Sequence, residues 1–388
     1  MHGSNVVYWF LKKSAPLFKR FNMKVSDAIS ILEQWAPPAL QEGYDNAQLI
    51  CGNPNDEIKK ALITLDCTES VIEEAIESGA NLIIAHHPIL FGSIKSLTGK
   101  NYVERTLMLA IRNQVSIYAI HTNLDNINTG VNSIIGERLG LSNLKVLAPK
   151  NGQLVKLQVH VPLAAAEKVR QALFRAGAGN IGNYDHCSFN SEGKGTFRGS
   201  DNTNPFVGKP NEDHTEDEIQ IQVILEKHRM KNAVLSMLDA HPYEEVAYDL
   251  IPLLNDAQNI GSGMIGEFDA AMKSEAFLAH VAQVFGCSAF KHTEILKDEV
   301  KKVAYCGGSG RFLLEKAKQA GADVFISSDF KYHEFFDHEN KITILDIGHF
   351  ETEQFTPELI ARYLADKNVT FAVLLSRVNT NPVHYFIR

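Results

Sequence analysis

From Met23 onward, the apolar positions along the chain follow two different patterns. Apolar spacing of about 3.6 residues predicts helices, and short apolar runs predict buried strands. The helices are VSDAISILEQW, TESVIEEAIESGA, ERTLMLAIRNQ and NSIIGERLGL, and the strands are KKALITLD, NLIIAHH and SIYAIHT. Thr68 and Gly79 stand where the second helix needs its caps. Because strands and helices alternate, this segment predicts a layered α/β fold with a largely parallel sheet.

Residues from about 151 to 255 follow a different order. Strand LVKLQVHVP, helix AAAEKVRQALFRAGAG, strand EIQIQVILE, helix RMKNAVLSMLDA and strand EEVAYDLIPL succeed one another. Two βα units with antiparallel closure indicate a ferredoxin-like or PII-like α+β module. The long polar stretch that ends near residue 215 is either a mobile loop or further short strands. The α/β pattern resumes near residue 256, so the module interrupts a two-part core.

We therefore predict an α/β fold whose layered core lies in two discontinuous halves, with an inserted ferredoxin-like or PII-like α+β domain. The boundaries are an N-terminal extension at 1–22, a first half of the core at 23–150, the insert at 151–255 and a second half at 256–388. The extension has no acidic residue and carries Lys12, Lys13, Lys19 and Arg20. A transit-like peptide is one interpretation, but an upstream extension or misassigned start fits better, with Met23 opening the first domain.

Composition places the chain among ordinary soluble globular proteins, with 388 residues, 45% hydrophobic and 22% charged. A net charge of -8 gives little support to a nucleic-acid partner. Five scattered cysteines without a Cys-x-x-Cys pair indicate neither a disulfide framework nor a thiolate zinc site, which favours the cytoplasm. Since no apolar run reaches eighteen residues, no membrane span is expected.

Four apolar segments end in side chains of the kind that bind metal ions. The segments are NLIIAHHPILF with His86 and His87, SIYAIHTNLD with His121 and Asp125, ADVFISSDFKYHE with Asp329, His333 and Glu334, and ITILDIGHFETE with His349 and Glu353. A single strand-end histidine is usually a hydrogen-bonded surface or core residue. Repetition changes that expectation, because the carboxyl ends of the strands in an open α/β sheet line one crevice. The pattern predicts a polynuclear metal site.

The spacing within two of these segments suits two metal ions. His86 and His87 could serve different ions only if the chain bends there, and Pro88 excludes a continued regular strand. Glu353 follows His349 by four residues, so both share a face if that turn is helical. Mixed imidazole and carboxylate ligands suit zinc, iron, manganese or nickel without selecting one of them.

Five motifs in the same order give the chain a family resemblance. NLIIAHHPILF, HTNLD, CGGSG, SDFKYHE and GHFETE resemble those of the GTP cyclohydrolase 1 type 2 homologues, or NIF-three-like dinuclear metal proteins, of the variety with a PII-like insert. The resemblance implies two divalent transition-metal ions held by His86, His87, Asp125, His349 and Glu353, with His121 adjacent. It also implies a homo-oligomer, commonly a hexameric toroid. Ser327 and Ser328 depart from the usual Thr-Gly before Asp329.

The leading functional hypothesis is a metal-dependent hydrolase of a nucleotide-like substrate, and the family name implies opening of the GTP imidazole ring. His121 or His333 would move protons to or from water activated by two metals. The alternative is a non-catalytic metal-binding or regulatory protein whose insert senses a small ligand. The glycines of CGGSG either cradle a phosphate with their N–H groups or only allow helix and sheet to pack. Glu334 and His333 are acid/base groups, orienting groups or an exposed helix start.

Overall fold

The strands of the protein form three sheets of five, six and four strands. The computed structural model describes residues 22–386, so the extension predicted for residues 1–22 lies outside that range except for Asn22. Among the described residues no helix is both long and apolar enough to cross a membrane. All five cysteines are free thiols.

The predicted helices form where the apolar spacing places them. In the first, Val25, Ala28 and Leu32 recur on one buried face. In the second, the Thr68 side chain accepts the Val71 N–H and Gly79 adopts the left-handed conformation of a C-cap. The helices described within 22–386 are α1 Val25–Trp35, α2 Glu69–Ser78, α3 Tyr102–Arg112, α4 Thr122–Asp125, α5 Val131–Leu139, α6 Ala166–Arg175, α7 Met230–Ala240, α8 Ser274–Phe285, α9 Leu314–Gln319, α10 His349–Glu353 and α11 Thr356–Asp366.

Strands of two to seventeen residues connect these helices. They are β1 Leu49–Cys51, β2 Lys60–Thr64, β3 Leu82–Ala85, β4 Ser116–Ala119, β5 Ser142–Lys150, β6 Leu154–Pro162, β7 Phe189–Arg198, β8 Asp213–Glu226, β9 Tyr248–Pro252, β10 Ala257–Lys273, β11 Lys291–His292, β12 Glu299–Ser309, β13 Val324–Ser328, β14 Thr343–Asp346 and β15 Ala372–Leu375.

The first sheet has the order β1-β4-β3-β2-β15 and is parallel except for β1. Its central strand β3 is buried along its whole length, as an apolar run flanked by helices predicts. The edge strand β15 comes from the far end of the chain and pairs with β2. The carboxyl ends of β2, β3 and β4 therefore lie side by side.

The second sheet has the order β11-β14-β13-β12-β10-β5. Strands β12, β13 and β14 run parallel, whereas β10 pairs antiparallel with β12 and β5 pairs antiparallel with β10. The expectation of a largely parallel sheet is thus confirmed for the first sheet, whereas the second sheet is parallel only at β12, β13 and β14. The strand-forming residues of β5 and β10 escaped the sequence pattern, because Gly261, Gly263 and Gly266 interrupt the alternation in β10.

Both sheets contribute to one hydrophobic core. Ile63 and Ile84 of the first sheet and Ile326 and Leu345 of the second belong to the same buried cluster. Helices α1, α5, α8 and α11 also contribute residues to this cluster. Trp35 of α1 and Tyr363 of α11 stack with ring centroids 4.2 Å apart. The packing fixes the strand ends of one sheet relative to those of the other.

The third sheet comprises only strands from the middle of the chain, in the antiparallel order β7-β8-β6-β9. With α6 and α7 it gives the strand–helix–strand–strand–helix–strand order of a ferredoxin-like unit. A separate hydrophobic cluster that includes Leu157, Val169, Ile221 and Met237 fills it. Strand β7 lies within the polar stretch that the sequence left open between loop and strand. The proposed boundaries at 151 and 255 stay a prediction.

Candidate metal centre

The histidine doublet follows β3 and lies between the ends of its two neighbours. His86 is fully buried, and its Nδ1–H donates to the Ile120 carbonyl beyond β4 at 2.9 Å. The His87 Nδ1–H donates instead to Asp66 Oδ1 beyond β2 at 2.8 Å. The two rings lie 4.9 Å apart between centroids. Side chains of adjacent residues thus face one centre while each ring is held by a different neighbouring strand.

Two further residues that the sequence predicted for the metal site follow strand β4. His121 lies directly before α4, and Asp125 ends that short helix. The helix is fixed by Asn123, whose side chain donates to the Ala36 carbonyl and accepts the His121 N–H. Asp125 Oδ1 lies 3.7 Å from His86 Nε2. A nitrogen of His121 lies within 4.8 Å of ligand-type nitrogens on both His86 and His87.

Helix α10 brings the second sheet to the same centre. It begins directly after β14 and places His349 and Glu353 one turn apart on one face, as their spacing predicts for a helical turn. Glu353 Oε2 lies 3.1 Å from His349 Nε2 and 2.9 Å from His87 Nε2. Glu353 Oε1 lies 3.9 Å from His86 Nε2. The carboxylate of Glu353 therefore occupies the middle of the cluster, between ligands from both sheets.

Each of the four imidazoles donates its Nδ1–H to an oxygen acceptor. His86 uses the Ile120 carbonyl and His87 uses Asp66, as above, while His121 donates to Asp45 at 2.8 Å and His349 to Asp329 at 2.7 Å. A neutral imidazole that donates from Nδ1 carries its lone pair on Nε2. This arrangement is typical of metal-binding histidines, whose second nitrogen is held by a carboxylate or carbonyl.

Four buried polar atoms at the centre have no hydrogen-bond partner within the described part of the chain. They are Nε2 of His86, Nε2 of His87, Oδ1 of Asp125 and Oε2 of Glu353. Nε2 of His87 and Oε2 of Glu353 therefore lie close together, but their geometry is not that of a hydrogen bond. Leaving buried polar atoms unsatisfied, one of them on an ionised carboxylate, costs on the order of several kcal/mol. Imidazole nitrogens and carboxylate oxygens are ligands of divalent transition metals, so the donor set fits such ions.

The electrostatics of the cluster favour positive charge at its centre. Burial would lower the pKa of His87 and of His349, but Asp66 and Asp329, each assisted by Glu353, raise the pKa values to about 10 and about 11. Burial would raise the pKa of Glu353, but the rings of His349, His86 and His87 hold it well below its usual range. A divalent cation supplies the positive charge that these carboxylates attract.

The glycine-rich segment at the end of β12, residues 307–310, packs against the cluster instead of offering a phosphate cradle. The N–H groups of Gly307, Gly308 and Gly310 donate to side chains of Asn132, Thr352 and Ser327, respectively, all at 2.8 to 3.0 Å. These three amides are therefore already engaged. Gly308 has a φ of +61°, and a Cβ there would lie 2.4 Å from Glu353 Oε1. The glycines allow the close approach of backbone and carboxylate, which was the second interpretation of CGGSG.

His333 and Glu334 lie outside the centre. Glu334 accepts the Lys331 N–H at the start of a 3₁₀ helix, Tyr332–His338. His333 is exposed and contacts the rings of Tyr332 and Phe336. It belongs to none of the clusters of ligand-type groups found among the described residues. Of the interpretations left open by the sequence, a helix start fits this pair best, and the structure does not bring His333 into the cluster with His86, His87, Asp125, His349 and Glu353.

Two carboxylates at the centre were missed by the sequence analysis. Asp66 lies two residues beyond β2 and fits the strand-end pattern, but no histidine accompanies it in the sequence to mark it as part of a metal site. Its other oxygen accepts the hydroxyl of Thr380 at 2.6 Å. Asp45 lies in a loop, and only folding brings it to His121 and Thr122. Burial raises the pKa of Asp45, but the hydrogen bond from His121 outweighs that effect and lowers it to about 2.

Comparison with known proteins gives matches over nearly the whole chain. The sequence profile of Duf34/NIF3 (NGG1p interacting factor 3) matches residues 23–382. A Halalkalibacterium halodurans protein named GTP cyclohydrolase 1 type 2 homolog is 39% identical over 368 residues, which are 93% of this chain and 99% of the relative. A Bacillus subtilis protein of the same name is 37% identical over 360 residues, 91% of this chain and 96% of its own length.

Solved structures show the same fold. A Bacillus cereus protein described as related to NIF3 superposes with a TM-score of 0.83 at 35% identity, and the match covers 94% of this chain and 100% of that one. The range that matches the family profile, residues 23–382, includes all three sheets and every residue of the candidate metal centre.

Proposed function

Because the chain belongs to the Duf34/NIF3 family, we propose that it is a metal-dependent hydrolase that acts on a nucleotide-like substrate. The name of its relatives suggests opening of a guanine imidazole ring as the reaction. The convergence of unpartnered atoms from His86, His87, Asp125 and Glu353 carries the proposal. These residues and His349 would hold two divalent ions, zinc, iron, manganese or nickel. When bound, such a pair would supply Lewis acidity at the site.

The residues of the chain would orient the ligands and move protons. Asp66 and Asp329 hold the rings of His87 and His349 by their Nδ1–H groups, which fixes the direction of each Nε2. His121 lies beside the cluster and shares a hydrogen bond with the ionised Asp45. That bond fixes the direction of the His121 ring, so we propose His121 as the group that accepts and returns a proton during hydrolysis.

A turnover assay on metal-analysed protein tests the proposal. The full chain is depleted of metal with a chelator, reloaded separately with zinc, iron, manganese and nickel, and incubated with GTP and other nucleotides. We expect product formation that rises in proportion to metal occupancy for at least one metal. Turnover that persists at zero occupancy would contradict the metal's role. Saturable metal binding without turnover of any substrate would favour the alternative, a non-catalytic metal-binding or regulatory protein.

The assembly state stays a prediction. The family resemblance implies a hexameric toroid, so the 43.1 kDa chain would form particles of about six times its own mass. Light scattering coupled to size exclusion measures that mass directly, and a monomeric particle over a wide range of concentration would contradict the prediction.

A further inference from the structure

The metal centre opens into a cavity of about 1260 Å³, which is far larger than the ions require. Exposed aromatic side chains surround this cavity: Tyr44, Phe91, Tyr102, Phe312 and Tyr385. Phe91 is 59% exposed and lies against His121 with ring centroids 5.9 Å apart. Large exposed rings that gather in one concave surface are typical of sites that stack a flat ligand.

The charges of the cavity wall oppose a highly anionic ligand. Its described lining contains seven carboxylates and only two lysines, and no arginine. Five negative charges are thus left over, and two divalent cations would offset four of them. Each lysine is already paired, Lys150 with Glu42 and Lys291 with Asp346.

The backbone offers no replacement for these missing cations. Glycine-rich turns in many nucleotide-binding proteins bind phosphate through free N–H groups. Here the amides of Gly307, Gly308 and Gly310 donate to side chains of the protein itself. The two lysines and these three amides of the described wall are thus engaged within the protein, which leaves the metal ions and the histidines around them to neutralise a triphosphate.

From these observations we propose that the site recognises an uncharged heteroaromatic ring, such as a purine base or nucleoside, by stacking on Phe91 and its neighbouring rings, and does not select for a triphosphate. The proposal rests on the hydrolase function proposed above for its choice of ligand class. A ring that stacks on Phe91 would lie next to His121 and so within reach of the group proposed to transfer protons.

Calorimetric titration of the metal-loaded full chain with guanosine, GMP and GTP tests the proposal. We expect guanosine to bind at least as tightly as GTP, with an affinity that changes less than about twofold between roughly 0.05 and 0.5 M salt, since screening acts on charges. Affinity that rises more than about tenfold from guanosine to GTP would overturn the proposal, and so would the absence of binding by all three ligands.

Substitution of Phe91 tests the stacking contact. Base stacking on an aromatic side chain is worth enough to change affinity roughly tenfold or more, so Phe91→Ala should weaken guanosine binding by at least that factor while elemental analysis shows unchanged metal content. Phe91→Tyr keeps the ring and should restore the affinity. Equal guanosine binding by Phe91→Ala and the unaltered protein would overturn the proposal.

These binding measurements separate the two proposals. Tight guanosine binding without turnover in any reloaded preparation would leave the ring-recognition proposal intact and contradict the hydrolase proposal. Metal-dependent hydrolysis of GTP together with strongly triphosphate-dependent binding would do the reverse.

Discussion

At the scale of single residues, the direction of each imidazole is set by a partner outside the cluster. Four Nδ1–H groups are bound by three carboxylates and one backbone carbonyl, which leaves four Nε2 atoms available on the other side. The partners therefore organise the site before any ion enters it. Loss of such an orienting partner typically lowers metal affinity or activity by about 10- to 100-fold.

Glu353 is the residue on which the metal content should depend most. Its two oxygens approach three imidazoles, and it is only 2% exposed. We predict that Glu353→Ala lowers the metal content from up to two ions per chain to one or fewer, because the variant loses a central carboxylate that would bind both ions. Elemental analysis of purified protein measures this.

Glu351 provides the matched control for that variant. It lies in the same helix and lines the cavity mouth, where it accepts a hydrogen bond from Asn381. Glu351→Ala should keep its metal. An unchanged stoichiometry in Glu353→Ala would reject the central role of Glu353.

His121 should separate metal binding from proton transfer. Since Asp45 holds its Nδ1–H and Phe91 lies beside its ring, we expect His121→Gln to retain most of its metal while hydrolysis falls by roughly 100- to 10,000-fold. Both quantities are measured in one preparation. A joint loss of metal and activity would make His121 a ligand instead, and intact metal with full turnover would exclude both roles. His333→Gln, a change outside the cluster, should alter neither.

At the scale of secondary-structure elements, the glycine-rich end of β12 allows the backbone to lie close to the Glu353 carboxylate. We predict that Gly308→Ala lowers metal content and destabilises the fold, because alanine costs about 1–2 kcal/mol in a left-handed conformation and its Cβ would lie 2.4 Å from Glu353 Oε1. Denaturant unfolding and elemental analysis measure the two effects.

Gly321→Ala separates the strain from the clash. Gly321 also has a positive φ, +70°, but nothing lies within 4 Å of a Cβ there. This variant should lose a similar amount of stability and keep its metal. Equal metal content in the two variants would show that the contact with Glu353 is unimportant.

The elements that sequence patterns predicted are those with local signals. Helix α1 has the predicted bounds because its apolar spacing and buried face coincide. Strand β10 was missed because the glycines that break its pattern are required by its partner, as a Cβ at Gly261 would lie 2.2 Å from the Ala148 carbonyl oxygen. The proposed ligands could be predicted because each follows its own strand. Asp45 could not be predicted, because it lies in a loop and its hydrogen bond joins it to His121, 76 positions away in the sequence.

At the scale of the whole molecule, the two halves of the core each lend a strand to the other. Strand β5 from the first half pairs with β10 in the second sheet, and β15 from the second half pairs with β2 in the first. Neither half of the core therefore contains a complete sheet. The third sheet shares no strand with the other two.

Strands β5 and β10 pair with each other at the two ends of the predicted insert, so removal of the insert tests the predicted boundaries. Lys150, at the end of β5, is the register partner of Ala257, at the start of β10, so these Cα atoms lie about 4.5–5.5 Å apart. We predict that replacing residues 151–255 by a short Gly/Ser linker gives a folded, metal-containing protein, because the linker converts β5 and β10 into a hairpin. Circular dichroism and elemental analysis measure the outcome. An insoluble or metal-free product would make the middle segment part of the core.

The residues of the candidate metal centre follow strands of two different sheets, so they are synthesised at different times. His86 and Glu353 contact each other across roughly 270 residues of chain, which a ribosome adds in about 15 to 50 s at 5–20 residues per second. Throughout that interval a nascent chain can present the His86–His87 pair but not Glu353. An ion that needs Glu353 as a ligand would therefore bind only after this residue has been synthesised, so the candidate centre would be loaded long after the His86–His87 pair has emerged.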